Sequence, residues 1–225
     1  MRAMLLAAGR GERMLPLTEH TPKPLLSVAG APLIAHHLRK LAEVGVTNLV
    51  INVSHLGQQI MDYCGDGSSW NLDIQYSRES QPLETAGGII GALPLLGSKP
   101  FLVVNADIWT DFPFEELLTA EWPAPGGACL VLVDNPMHHP QGDFCLAPDG
   151  HVTAPDGNRP TLTYCGIGVY TPAFFDGVSS QKYPLLPLLN RAVENKSLFA
   201  QHYRGSWIDV GTPQRLKELN QRLER

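Results

Sequence analysis

Cysteine is scarce and unpaired in this chain: Cys64, Cys129, Cys145 and Cys165 are scattered, and no CxxC occurs. A chain of 225 residues can bury a sizeable core without staples, so these thiols read as reduced core residues. The missing pair spacing also argues against a thiolate metal centre. A basic excess is absent too. The net charge is −5, whereas nucleic acid as a main partner demands a basic face. A small phosphate ligand needs only local positive charge and stays open. No apolar stretch approaches the length of a membrane span, and no basic segment followed by an apolar run opens the chain. A cytoplasmic protein with no membrane partner is the resulting expectation. There is no internal repeat, low-complexity tract or clear linker. An 8% aromatic content marks no interface and leaves the oligomeric state open, a monomer included.

What is present is a globular composition, 44% hydrophobic and 17% charged. Apolar runs at Ala3–Ala8, Leu49–Val53, Ile74–Tyr76 and Phe101–Asn105 lack polar alternation, as strands covered on both faces do. Helical patterns fit between them. Pro32 can begin one that stops at Gly45, Leu56 to Tyr63 forms a second, and Thr85 can cap a third ending near Leu93 before Pro94. The order predicts an α/β fold of Rossmann-like type, an open sheet flanked by helices. Farther on, ACLVLVDN, GDFCLA, GHVTA and TLTYCGIGVY read as strands, with a turn at Asp149-Gly150. The sheet is therefore expected to be mixed, mostly parallel, in one domain over 1–225. Thr212, Pro213 and the stripe of Leu216, Leu219 and Leu223 predict a capped terminal helix.

Gly9 and Gly11 follow the first strand directly and open a long loop that reaches about Gly30. In open α/β sheets the ligand crevice lies beyond the carboxyl ends of the strands. Glycine there lets backbone N–H groups approach a phosphate, and Arg10, Arg13 and Lys23 add charged donors against Glu12 and Glu19. Position 14 is Met, so the dinucleotide fingerprint GxGxxG fails; no Walker loop occurs. Lys23 is fenced by Pro22 and Pro24, which restrict the backbone and suggest placement. By itself the loop supports binding of a nucleotide or phosphosugar.

The stretch G9-R-G-E-R13-M-L-P-L-T18 with P22-K23-P24-L25 resembles the signature of the sugar-phosphate nucleotidyltransferases, GxGxRxxPLT before PKPL. The resemblance covers essentially the whole chain. It implies that Gly9, Gly11, Glu12, Arg13 and Lys23 wrap a nucleoside triphosphate, with Arg13 and Lys23 as the catalytic cations. Transfer from a triphosphate calls for Mg²⁺ on hard oxygen ligands. Asp107, after FLVVN, qualifies by position, though a loop acid or helix cap is the plainer reading; Asp111 fits that plainer reading better. Asp209 lies in the apolar segment WIDVGT, where an acid is costly unless bound to a metal or paired with an arginine. The resemblance makes Asp107 and Asp209 the Mg²⁺ ligands, with Ala106 where the family usually has glycine.

Q81-P-L-E-T-A-G-G88 resembles the nucleobase segment PLGTAG, which implies base contacts at Gly87 and at the backbone of Leu6 and Ala8. For Gly87 and Gly88, tight helix packing is an equally good explanation. Asn105, Asp143 and Asp209 are the candidates on the sugar side. His138 and His139 read as a polar turn, since no third metal ligand has sensible spacing. The resemblance implies nucleotidyl transfer from UTP or another triphosphate to a sugar 1-phosphate. Residues up to about 110 would bind the nucleotide and 111–225 the sugar. LETAGGI, VDNPMHHPQGDF and HYRGSWIDVGT resemble a short uridylyltransferase branch of bacterial wall recycling that uses N-acetylmuramate α-1-phosphate. Guanylyltransferases of mannose or heptose 1-phosphate are the runner-up. A metal-dependent glycosyltransferase and a non-catalytic nucleotide sensor are the alternatives of another class.

Overall fold

The computed structural model describes residues 1–119, 124–179 and 181–224. The first apolar run becomes β1 (Arg2–Leu6), with Ala3, Met4 and Leu5 wholly buried. A small ribbon of β2 (Ser27–Val28) and β3 (Ala31–Pro32) closes the basic loop. Helices and strands then alternate: α1 (Leu33–Glu43), β4 (Asn48–Val53), α2 (Gly57–Cys64), β5 (Asp73–Arg78), α3 (Glu84–Leu96) and β6 (Phe101–Asn105). β4 and β6 flank β1, and β5 lies outside β4, all parallel. The unbroken apolar runs reflect burial on both faces.

The remaining elements are β7 (Ile108–Thr110), α4 (Glu115–Thr119), β8 (Ala128–Val133), β9 (Phe144–Leu146) and β10 (Val152–Thr153). After them come β11 (Thr161–Tyr170), α5 (Leu186–Glu194), β12 (Leu198–Tyr203), β13 (Trp207–Asp209) and α6 (Pro213–Leu223). β11 runs antiparallel between β6 and β8, its first residues pair instead with β9, and β12 joins β8 in parallel. The expected mixed, mostly parallel sheet is thus present, and Gly150 turns the chain between β9 and β10 with φ +85°. Where β11 leaves one partner for another its register shifts between Tyr164 and Gly168. Gly166 sits in that bulge with φ +83°, and a Cβ there would lie 2.6 Å from Asn105 Nδ2. The bulge therefore presses on the carboxyl end of β6, where a site is expected.

Two apolar cores lie on the two faces of the sheet. One joins Ile34, Leu38 and Leu41 of α1 to Leu5, Ile51 and Val104; the other joins Ile89 of α3 and Leu188 of α5 to Met4 and Val103. A third, small cluster packs Met14, Leu26, Val28, Leu33, Val210 and Leu219. It staples the basic loop to α6. Burying Met14 alone stabilises that contact by about 2 kcal/mol. α6 begins as expected, with the Thr212 side chain accepting from Arg215 N.

Two expectations for α3 need correction. Thr85 does not cap it but lies in its first turn, since the helix starts at Glu84 with Leu83 as its N-cap. α3 does not stop before Pro94 but runs to Leu96, because Ala92 and Leu96 are buried and hold the last turn against the sheet. Pro94 removes one i→i−4 hydrogen bond and crowds the preceding turn, a cost that this burial offsets. α5 and β12 had no expectation, although α5 buries a regular helical stripe of Leu185, Leu188, Leu189 and Ala192. All four cysteines are free, with Cys64, Cys145 and Cys165 buried. Among the described residues no helix is long and apolar enough to cross a membrane.

Candidate active site

The loop after β1 is ordered by its own chemistry. Gly11 takes φ +67°, and a Cβ there would stand 3.0 Å from Thr18 Cγ2 and 3.3 Å from Lys23 Cβ. The Thr18 hydroxyl donates to Gly11 O at 2.8 Å and ties the two ends of the turn. Above Gly9 there is open space. Pro22 and Pro24 set a short 3₁₀ turn over Lys23–Leu25, which aims the Lys23 side chain inward. Its ammonium meets Asp107 Oδ2 at 2.6 Å, and the lysine side chain is 8% exposed against 38% for the acid.

Parallel pairing delivers Asp107 to this point. Leu6 lies opposite Asn105, and Ala106 N donates to Leu6 O at 3.1 Å, so the segments after β1 and β6 leave the sheet side by side. Ala106 is buried with no exposed surface, and the turn carries its methyl group. Antiparallel pairing of β7 with β13 then sets Asp209 opposite Ile108, and Val210 N donates to Asp107 O at 3.0 Å. The two candidate metal acids, far apart along the chain, are thus neighbours through backbone pairing. Asp209 turns its carboxylate to Arg215, Oδ2 to Nη1 at 2.7 Å. Arg215 Nη1 also donates to His138 Nε2 at 2.7 Å. Partial burial and the Arg215 guanidinium push His138 below the ordinary histidine value against the pull of Asp209, which suits a neutral ring accepting that bond. The His138–Asp209 approach of 3.7 Å is therefore not an ion pair.

Asp111 serves structure, as its position suggested. It accepts from Tyr203 Oη and, at 2.7 Å, from Ser206 N, which anchors the turn into β13. Burial pushes its carboxyl up, but those hydrogen bonds outweigh it and leave the group below the usual carboxylate range.

Behind the acids lies His37 of α1, whose Nε2 donates to Ile108 O at 2.8 Å. Burial lowers its pKa from 6.5 to about 4, so the ring is neutral at pH 7. The unfolded chain takes a proton near pH 6.5 that the folded chain refuses until about pH 4. Folding stability should therefore fall as pH drops through that window, by up to about 1.4 kcal/mol per pH unit. Urea unfolding midpoints at pH 7 and pH 5 check this: His37→Gln should show a smaller fall than the parent, and equal falls would count against it.

The cleft itself has a volume of about 750 Å³. Leu6, Ala8, Gly9, Gly11, Glu12 and Arg13 line it, and so do Lys23, Asn105 and Asp107. A second lobe of about 420 Å³ adjoins it and shares Glu84, Thr85 and Asn105. Asp143 lines this lobe; its carboxylate accepts from Tyr164 N at 2.8 Å and lies 3.0 Å from His139 Nε2. Asp209 is not in the cleft wall; its neighbour Gly211 is. Gly87 is absent from the wall too. A Cβ on it would lie 2.3 Å from Gln181 O, so close packing accounts for that glycine.

Several neighbours of the site carry only a weak signal in the linear chain. Asn52 accepts from Ala7 N at 2.8 Å and donates to Glu79 Oε1 at 2.6 Å, while Glu79 Oε2 accepts from Leu83 N at 2.9 Å. This buried bridge ties β1, β4 and the approach to α3 into one floor. Gly88 is needed there, since a Cβ would sit 2.7 Å from both Asn52 Nδ2 and Glu79 Oε1. A polar residue at the end of each of two adjacent strands was the available hint.

A strand-end glycine loop with an inward lysine, facing paired acids across an α/β sheet, is the arrangement of a nucleotide-handling transferase. The family described as Nucleotidyl transferase matches residues 2–225, and the chain belongs to it. A relative from Neisseria meningitidis serogroup B, N-acetylmuramate alpha-1-phosphate uridylyltransferase, is 50% identical over 97% of this chain and 96% of its own length. The protein of the same name from Caulobacter vibrioides is 35% identical over 94% of this chain and 92% of its own. Among solved structures, HddC from Yersinia pseudotuberculosis complexed with GMP-PN superposes with a TM-score of 0.79. That match covers 99% of each chain at 19% identity, a likeness of fold.

Proposed function

We propose that the chain transfers the uridylyl group of UTP to N-acetylmuramate α-1-phosphate and releases pyrophosphate. The observation that carries the reading is that the glycine-rich loop with Arg13 and Lys23 meets Asp107 in a cleft with a second, adjoining lobe. The identity with the Neisseria uridylyltransferase supports the choice of base and sugar. Residues up to about 110 would carry most of the nucleotide, and 111–225 would complete the sugar side through Asp143.

Lys23 and Arg13 would offset charge that builds on the departing pyrophosphate. A cation preset at the cleft costs no reorganisation during the reaction. Backbone N–H groups near Gly9 and Gly11 would hold the triphosphate, and backbone of Leu6 and Ala8 would border the base. An oxygen of the sugar phosphate attacks the α-phosphorus in line. It is already ionised near neutral pH, so no general base is required, and positioning supplies most of the rate.

Asp107 and Asp209 are the residues that would hold Mg²⁺. Each already stands beside a cation, Lys23 or Arg215. Among the described residues no group of three or more His, Cys, Asp or Glu side chains forms a metal cage. Two hard carboxylates fit an ion that completes its shell with waters and substrate phosphates. Once bound, it would supply charge neutralisation at the phosphates.

Pyrophosphate release measured over a matrix of nucleoside triphosphates against sugar 1-phosphates tests the reading. UTP with N-acetylmuramate 1-phosphate should give the highest kcat/KM. A higher value for GTP with mannose 1-phosphate would overturn it, and so would no turnover with any pair.

A further inference from the structure

Glu84 and Lys182 have no part in the chemistry above, yet both line the cleft. Glu84 opens α3 with φ +61°. For a residue with a side chain this left-handed backbone is unfavourable, and at the rim of a cleft such strain points to a role for the side chain. The related pattern PLGTAG has glycine at this position, which would adopt the same φ without strain. The Glu84 carboxylate borders both lobes and pairs with Lys182 Nζ at 3.4 Å.

Lys182 stands on a segment tied to α3. Tyr183 N donates to Leu83 O at 2.9 Å, and Gly87 N donates to Tyr183 O at 3.0 Å. Its backbone is thus held while its side chain, 65% exposed, keeps its reach. An ammonium has three donors, and one loose pair leaves the others for a ligand.

The second lobe presents Glu84 and Asp143, and no Lys or Arg is among the described residues lining it. N-acetylmuramate differs from N-acetylglucosamine by a lactyl ether that ends in a carboxylate. Entry of that second anion into an acidic lobe requires a cation at its border. Arg10, Arg13 and Lys23 lie on the glycine-loop side, where the phosphates belong. Lys182 lines the first cleft and lies two residues before Pro184, which lines the second lobe.

Resting on the proposed substrate, we infer that the Lys182 ammonium receives the sugar's lactyl carboxylate. Glu84, held in its left-handed backbone, is the positioning residue that steers Lys182 over the lobe. The experiment compares kcat and KM for N-acetylmuramate 1-phosphate and N-acetylglucosamine 1-phosphate at saturating UTP. In Lys182→Ala the ratio of the two kcat/KM values should fall about 10-fold to 100-fold, through a higher KM for the muramate. Lys182→Arg should restore most of the ratio. Glu84→Gly should lower the ratio about 10-fold without lowering the melting temperature, because it removes the backbone strain. An unchanged ratio in Lys182→Ala, or equal losses with both sugars, would overturn the inference. A wild-type enzyme inactive on N-acetylmuramate 1-phosphate would instead defeat the substrate reading, and the inference with it.

Discussion

Lys23→Ala should lower kcat on the order of 10²-fold to 10³-fold, the usual effect of removing a preset electrostatic donor. The fold should survive. Asp107, the partner left behind, is partly exposed and can be hydrated, so the lost ion pair should cost only about 1 kcal/mol. The lysine stem also packs against Gly11, and Lys23→Met keeps that stem while deleting the charge. If the charge is what matters, the two variants should be equally slow with near-parental melting temperatures. Steady-state rates beside thermal unfolding decide it: near-normal turnover in Lys23→Met would remove the lysine from the reaction.

The second large effect concerns the acids. Asp107→Asn and Asp209→Asn should each raise the Mg²⁺ concentration for half-maximal rate on the order of 100-fold, since a metal's charge stabilisation amounts to several kcal/mol. Each should also reduce the Mg²⁺-dependent rise in melting temperature measured with UTP present. Asparagine keeps an oxygen for Arg215 or Lys23, so the local hydrogen bonds persist while one negative charge disappears. A parental Mg²⁺ response in Asp209→Asn would show that its carboxylate serves only the Arg215 bond, the alternative left open by an acid in an apolar strand.

Much of this was legible before any coordinates. Gly11 and the proline-fenced Lys23 were readable because their demands are local: room for close backbone approach at one position, restricted backbone at the neighbours of the other. Asp107 was readable because a parallel sheet gathers strand ends on one edge, and it follows β6 as Gly9 follows β1. Gly87 marks the limit. Glycine in a helix signals close approach without saying of what, and here the neighbour is the backbone of Gln181 rather than the cleft. Arg215 was silent and Glu79 nearly so, because a charged residue on a helix or at a strand end has a solvated surface as its ordinary reading.

The sequence alone determined the alternation of strands and helices, the loop that follows the first strand, and the kinds of charge available to it. Those depend on side-chain period and on backbone torsions within a few residues. Tertiary structure decided which charges meet: Lys23 with Asp107, Arg215 with Asp209, Glu84 with Lys182. Such pairings depend on strand register and helix packing between segments distant along the chain, and no local preference encodes contacts across that separation.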